Sequence, residues 1–214
     1  MRRRVWRCLG LGVAVIGCHK DPAAAPQVAV PLASAATSVS AGVPDPEAEF
    51  TAIRARAVPA VNERVPAALT KVLKFAPQFD ARHRVIGLVP ESWMLGQAPG
   101  TFIPPPVDAL GPGTSLAFGS GCDGRCAPKD WAQSFDKVEV RGLQAQQIDS
   151  DEPMGKSGRL VVAHSGDTHM VAAGLWKAGA ASYFYCRATL TGAAIEALPA
   201  FVAACRATEV RRWE

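Results

Sequence analysis

The chain has 214 residues, with 23 basic and 19 acidic side chains and a formal charge of +4. Four arginines and no acids precede Cys18, which leaves 19 of each sign beyond it; so balanced a chain lacks the general electrostatic footprint of a nucleic-acid binder. From position 50 onward about 165 residues remain, which suits one domain around a single core, and they contain no internal repeat.

The first element in chain order is a leader. Arg2, Arg3, Arg4 and Arg7 precede an apolar run of ten residues, Cys8 to Gly17. That is half of the ~20 residues a membrane-spanning helix needs, and it reads as the apolar region of a signal peptide. The segment Val15-Ile16-Gly17-Cys18 resembles the lipobox of bacterial lipoproteins, and the resemblance covers the first twenty residues or so. It implies cleavage before Cys18, diacylglycerol on the Cys18 thiol and acylation, typically with palmitate, of the new N-terminus. Two or three chains at ~0.8 kcal/mol per buried methylene anchor a protein stably, where one does not. In such lipoproteins an Asp after the cysteine favours inner-membrane retention. His19 stands there instead, which implies an outer-membrane anchor with the domain on the periplasmic or surface side.

Residues 18–49 follow as a tether. From His19 the segment is rich in alanine and proline, has no periodic apolar face, and cannot bury enough surface to offset its ordering entropy. The expected division is therefore a signal peptide over 1–17, a lipidated tether over 18–49 and one domain over 50–214. Residues 50–66 have patchy helical spacing interrupted by Pro59 and Pro66.

Beyond them the pattern is mostly β. Val72 to Phe79 and Arg84 to Pro90 flank a polar turn and predict a hairpin. Phe102-Ile103, before three prolines, predicts an edge segment, because proline lacks the ladder donor. Thr114 to Gly119 reads as a short strand, with Gly119-Ser120-Gly121 as a flexible corner. Pro128 suits the first turn of a helix whose Trp131, Phe135 and Val138 share one face. Gln144 to Gly158 is polar and reads as a loop. Leu160 to His164 and His169 to Trp176 flank the turn Ser165-Gly166-Asp167-Thr168. Ser182 to Leu190 alternates, placing Phe184, Cys186, Ala188 and Leu190 on one face. A last helix runs from an N-cap at Thr191 to about Ala207, with Ile195, Leu198, Val202 and Cys205 on one stripe and a kink at Pro199.

Strands in runs with helices apart predict an α+β domain, an antiparallel sheet covered by two helices. The element order and the segment Val89-Pro90-Glu91-Ser92-Trp93 resemble the PsbP-like fold of some bacterial lipoproteins, which implies a binding or accessory role and transfers no catalytic residue. Past Cys18, four cysteines remain, and in an oxidising compartment they form two disulfides. The pairing expected from placement is Cys186 with Cys205, on the inward faces of a strand and a helix, and Cys122 with Cys126.

The window around Cys122 and Cys126 admits a staple, a redox pair or half a metal site. Three intervening residues and no thioredoxin-like context disfavour the redox pair, and a fourth ligand for zinc is missing. A staple that shapes the turn is the reading taken, with Asp123, Arg125 and Lys129 as a contact surface. His164 and His169 are expected to face each other across a hairpin base, where Asp167 could complete a metal trio; the alternative is two solvated histidines beside a turn. Trp176, Tyr183 and Tyr185 form either an exposed aromatic face or sheet packing under a helix or loop. No nucleophile elbow, zinc-protease helix or phosphate-cradling loop is present, and Asp149-Ser150-Asp151-Glu152 lacks the spacing of a calcium loop. The expectation is a non-catalytic, cofactor-free envelope domain whose partners are the membrane, through its anchor, and another envelope protein or small ligand. The rival readings are an immunity lipoprotein against a periplasmic toxin and a metal-dependent enzyme using His164, Asp167 and His169.

Overall fold

The computed structural model describes residues 46–80, 85–106, 110–122, 131–143, 145, 147–176 and 182–210, all within a compact unit that runs from Val43 onward. It is a mixed α+β domain with two antiparallel sheets. Among the described residues no helix is long and apolar enough to cross a membrane. The signal peptide, Cys18 and His19 lie outside the described residues.

The patchy stretch of residues 50–66 is largely one helix, α1 (Pro46–Asn62), which continues through Pro59. Its inward residues Ile53 and Val61 are almost fully buried. Asn62 ends it by acting as a strand mimic: its side-chain amide donates to the Phe75 carbonyl at 3.1 Å and accepts from the Phe75 N–H at 2.8 Å. Both polar groups of Phe75 are thereby satisfied where the next strand begins.

The expected hairpin forms from β1 (Phe75–Asp80) and β2 (Val85–Pro90), paired from Phe75 opposite Pro90 to Asp80 opposite Val85. All six residues of β2 are buried. The short β10 (Glu209–Val210) completes a three-stranded sheet in the order β1-β2-β10.

The second sheet has seven strands: β3 (Met94–Leu95), β4 (Thr101–Ile103), β5 (Ser115–Gly121), β6 (Gln147–Pro153), β7 (Gly158–Ser165), β8 (Thr168–Leu175) and β9 (Tyr183–Leu190). Their spatial order is β3-β4-β5-β9-β8-β7-β6. Several expectations need correction here. Phe102-Ile103 belongs to the second strand from the edge, because Met94-Leu95 pairs outside it. Gly119-Ser120-Gly121 is no corner but the end of β5, in register with Tyr185, Phe184 and Tyr183. The polar stretch read as a loop contains β6, an edge strand exposed on both faces. No apolar alternation marks such a strand.

The C-terminal helix is also revised. A 3-10 segment, Gly192–Ala197, leads into α3 (Leu198–Arg206) with Pro199 in its first turn, so proline starts this helix and does not kink it. Thr191 makes no side-chain cap; its hydroxyl donates to the Pro112 carbonyl at 2.7 Å. The buried stripe is Ala194, Ala197, Ala200, Phe201, Ala204 and Cys205, while Ile195, Leu198 and Val202 stay half-buried. Four alanines let the helix approach the sheet closely, and Phe201 fills the space between the layers. Its ring lies 5.2 Å from that of Phe75 and 5.7 Å from that of Trp93. Phe118 of β5 joins the two sheets: a Cβ on Gly87 of β2 would lie 2.2 Å from its ring.

The Cys186–Cys205 disulfide forms as expected, tying β9 to α3 with both residues fully buried. Cys122 is also disulfide-bonded; its expected partner Cys126, with Asp123, Arg125, Pro128 and Lys129, lies outside the described residues.

Candidate functional site on the second face of the sheet

Alternation along β9 sends Phe184, Cys186, Ala188 and Leu190 toward α3 and Tyr183, Tyr185, Arg187 and Thr189 to the opposite face. That second face is covered by the segment after Cys122. It begins as α2 (Trp131–Phe135), with Trp131 and Phe135 buried as expected. It then widens into a π-helix, Asp136–Val140, closed by the Arg141 N–H on the Asp136 carbonyl, and ends as a 3-10 turn, Arg141–Leu143. The extra residue per turn rotates the face. Val138, expected inward by α-helical spacing, is 39% exposed, and Glu139 is 3% exposed. Single π turns of this kind are frequent where a helix must aim one side chain.

Glu139 is aimed at β9. One carboxylate oxygen accepts from the Tyr183 hydroxyl at 3.1 Å, and the other faces Nη1 of Arg187 at 3.4 Å. Burial raises its pKa, against the pull of the Arg187 charge and the Tyr183 hydrogen bond. Burial and the adjacent Glu139 charge raise the Tyr183 phenol well above its ordinary range. Burial first, then the Glu139 charge, raises Tyr185 as well. The Arg187 guanidinium also lies 5.9 Å from the centre of the Tyr185 ring, within cation–π range.

Two glycines make this packing feasible. A Cβ on Gly119 or Gly121 would lie 2.4 Å from the hydroxyl oxygen of Tyr185 or Tyr183, the residues directly opposite in the ladder. Gly174 of β8 similarly leaves room for the Phe135 ring, 2.6 Å from a would-be Cβ. Phe135 in turn meets Tyr183 edge-on at 5.8 Å and Trp176 at 6.2 Å. Of the two readings open for Trp176, Tyr183 and Tyr185, the geometry is that of sheet packing under a helix. Tyr183 is fully buried, and Tyr185 and Trp176 are half-buried. Chemically the cluster is a lock: both carboxylate oxygens are engaged and the phenol is held protonated.

The neighbouring acids are also engaged. Arg159 grips Asp151 through Nε and Nη2 at 2.8 and 2.6 Å and reaches Asp136 at 3.0 Å. The Arg159 hydrogen bond holds the Asp151 carboxyl below its ordinary value. Glu152 pairs with Arg206 of α3 at 2.6 Å. Asp151 and Glu152 of the acidic run are thus edge-strand carboxylates tied down by arginines.

At the hairpin, Ser165 pairs with Thr168, leaving Gly166-Asp167 as a two-residue turn, with Gly166 at a φ of +56°. His164 and His169 face each other as expected, their rings stacked at 5.4 Å. The carboxylate on them is not Asp167 but Asp149, whose two oxygens lie 2.8 and 2.9 Å from His164 Nδ1. Asp149 is the residue without a ladder partner in a β-bulge between Ile148 and Ser150. The bulge turns its side chain onto the histidine. Nδ1 of His169 is buried without a hydrogen-bond partner. Among the described residues, no three His, Cys, Asp or Glu side chains are grouped to hold a metal ion. His83 lies outside those residues.

No family model matches the chain, and no curated protein matches its sequence. Among solved structures, the chain is similar to the Ran-binding protein Mog1p of Saccharomyces cerevisiae, with a TM-score of 0.43 and 11% identity over 64% of this chain and 96% of that one. A point mutant of protein Mog1 aligns with a TM-score of 0.40 and 10% identity, over 65% of this chain and 97% of that one.

Proposed function

We propose that this chain is a lipid-anchored binding domain of the bacterial cell envelope, attached through Cys18 to the outer membrane and acting by association without catalysis. The observation that carries the reading is the fully buried Cys186–Cys205 disulfide. Such bridges form and persist where thiols are not kept reduced, the destination the leader ending in Val15-Ile16-Gly17-Cys18 implies. The reading is supported further by the fate of the ionisable clusters: Glu139, Asp151, Glu152 and Asp149 are each engaged by a cation, a phenol or an imidazole. For the arrangement of the domain we propose the PsbP-like type. Trp93 of its Val89-Pro90-Glu91-Ser92-Trp93 segment is buried and packs on Phe201 of the C-terminal helix.

The test is metabolic labelling of the full chain with an alkyne fatty acid in a bacterial host, with membrane fractionation and intact mass. The expected result is a lipid-modified product beginning at Cys18 in the membrane fraction, and an unlabelled product for Cys18→Ser. An unmodified chain that retains residues 1–17 overturns the proposal.

A further inference from the structure

The surface clefts differ in the handles they offer a ligand. One of about 630 Å³ is walled by prolines and glycines and has no ionisable group among its lining residues; the hydroxyl of its Thr114 is already engaged by the Leu110 carbonyl and by Thr191. A second cleft, of about 370 Å³, lies between the β6–β7 turn, the end of β8 and β10. Its apolar walls are Met154, Leu175, Trp176 and Val210, and two charged residues, Lys156 and Glu209, also line it. Few polar groups around an apolar hollow are the usual make-up of a small-molecule site.

The walls are fixed by paired backbone. The Trp176 N–H donates to the Ser157 carbonyl at 2.9 Å, and the Met154 N–H to the Gly158 carbonyl at 2.8 Å. Phe135 backs the Trp176 indole at 6.2 Å, and the indole is still only half-buried. Met154, also half-buried, adds a thioether. A flat aromatic body can stack on the first and meet the second at its edge. The two charges are not equivalent. Glu209 is ion-paired with Arg56, whereas Lys156 is exposed and makes no ion pair among the described residues. In sequence, Lys177 follows Trp176 and Arg211-Arg212-Trp213-Glu214 follow Val210, three basic side chains against one acid.

We propose that this cleft binds a small aromatic monocarboxylate, its ring on Trp176 and Met154 and its carboxylate facing the Lys156 ammonium. Charge selects an acid over an amine: Lys156 repels a second cation, and the one carboxylate in the lining is held by Arg56. Size selects a small molecule, because the volume stands near the bottom of the ~300–1,000 Å³ range of ligand pockets. The inference rests on the reading of the domain as a binding module and is independent of lipidation at Cys18. A lipidated product that binds no acid defeats this inference alone, and an unlipidated chain that binds one defeats the anchoring alone.

The test titrates the intact, nitrogen-15-labelled chain in detergent with phenylacetate and follows backbone amide shifts. Saturable shifts are expected at Ser157, Leu175, Trp176 and Thr208, with phenylacetamide and phenethylammonium binding about fivefold more weakly, the scale of an exposed ion pair. Lys156→Glu should weaken phenylacetate by about the same factor and turn the preference toward phenethylammonium. Lys156 is exposed in a turn, so the variant keeps its fold, which circular dichroism checks. No saturable shift, shifts confined to residues elsewhere, equal binding of phenylacetamide, or a Lys156→Glu protein that still prefers the acid each overturns the proposal. So does tighter binding of the peptide Ala-Ala-Phe than of phenylacetate, which assigns the cleft to a protein C-terminus.

Discussion

The Glu139 carboxylate receives the Tyr183 hydroxyl at 3.1 Å in a layer sealed by Phe135. Glu139 comes from a widened helical turn and Tyr183 from the strand that bears the disulfide. The pair fixes the helical cover to the sheet's second face, and its cost and benefit can be separated.

Burial raises the Glu139 pKa above 4.5, so between 4.5 and the raised value the folded state holds a proton that the unfolded state has released. Stability contributed by this group is therefore complete below pH 4.5 and declines as pH rises through the window. Glu139→Gln should flatten that decline and leave thermal stability at pH 7 equal or higher. Glu139→Ala, which strands the Tyr183 hydroxyl, should lose about 1–3 kcal/mol. Denaturant titrations at several pH values read both.

The Cys186–Cys205 bridge closes a loop with a sequence separation of 19, for which the chain-entropy model gives roughly 3 kcal/mol. The double variant Cys186→Ala, Cys205→Ala should lose about that much in urea unfolding. In the native protein neither cysteine should react with a thiol reagent before reduction under denaturing conditions.

Gly87→Ala drives a methyl into the Phe118 ring at the junction of the two sheets. Overpacking of this kind costs about 1–3 kcal/mol, and because the collision is with a buried ring at its closest approach, the upper part of that range is expected. Gly142→Ala, whose Cβ would meet nothing within 4 Å, should be nearly neutral. Differential scanning calorimetry of the two variants makes the comparison.

Asp149 should hold His164 in the tautomer protonated at Nδ1. Nitrogen-15 shifts of the imidazole are expected to show that form, and Asp149→Asn should weaken the preference. With both side chains partly exposed, the effect on stability should stay under about 1 kcal/mol.

The sequence showed its periodicities where burial is one-sided. β9 and the Cys186–Cys205 pairing were readable because alternation along β9 turns Phe184, Cys186, Ala188 and Leu190 to one buried face, whereas β7 and β8, with buried runs on both faces, were readable from the turn signal between them. β6 was illegible because an edge strand exposed on both faces alternates nothing, and its carboxylates resemble a loop. The Glu139 site was missed for a different reason. A π turn shifts the inward position by one residue, so α-helical spacing selected Val138 and passed over its buried neighbour. Glycines written off as a corner were the clearance for two tyrosines, which only the register across β5 and β9 could disclose. α1 was obscured by Pro59, a residue its helix accommodates.

The covalent tie between the sheet's central strand and the final helix has a bearing on how the molecule withstands proteolysis. A cut anywhere in Gly192–Ala197 falls between the two sulfurs. Such a nick would leave the severed tail bonded to the body, its alanine ridge still seated, and the fragments would part only when a reductant and a denaturant act together.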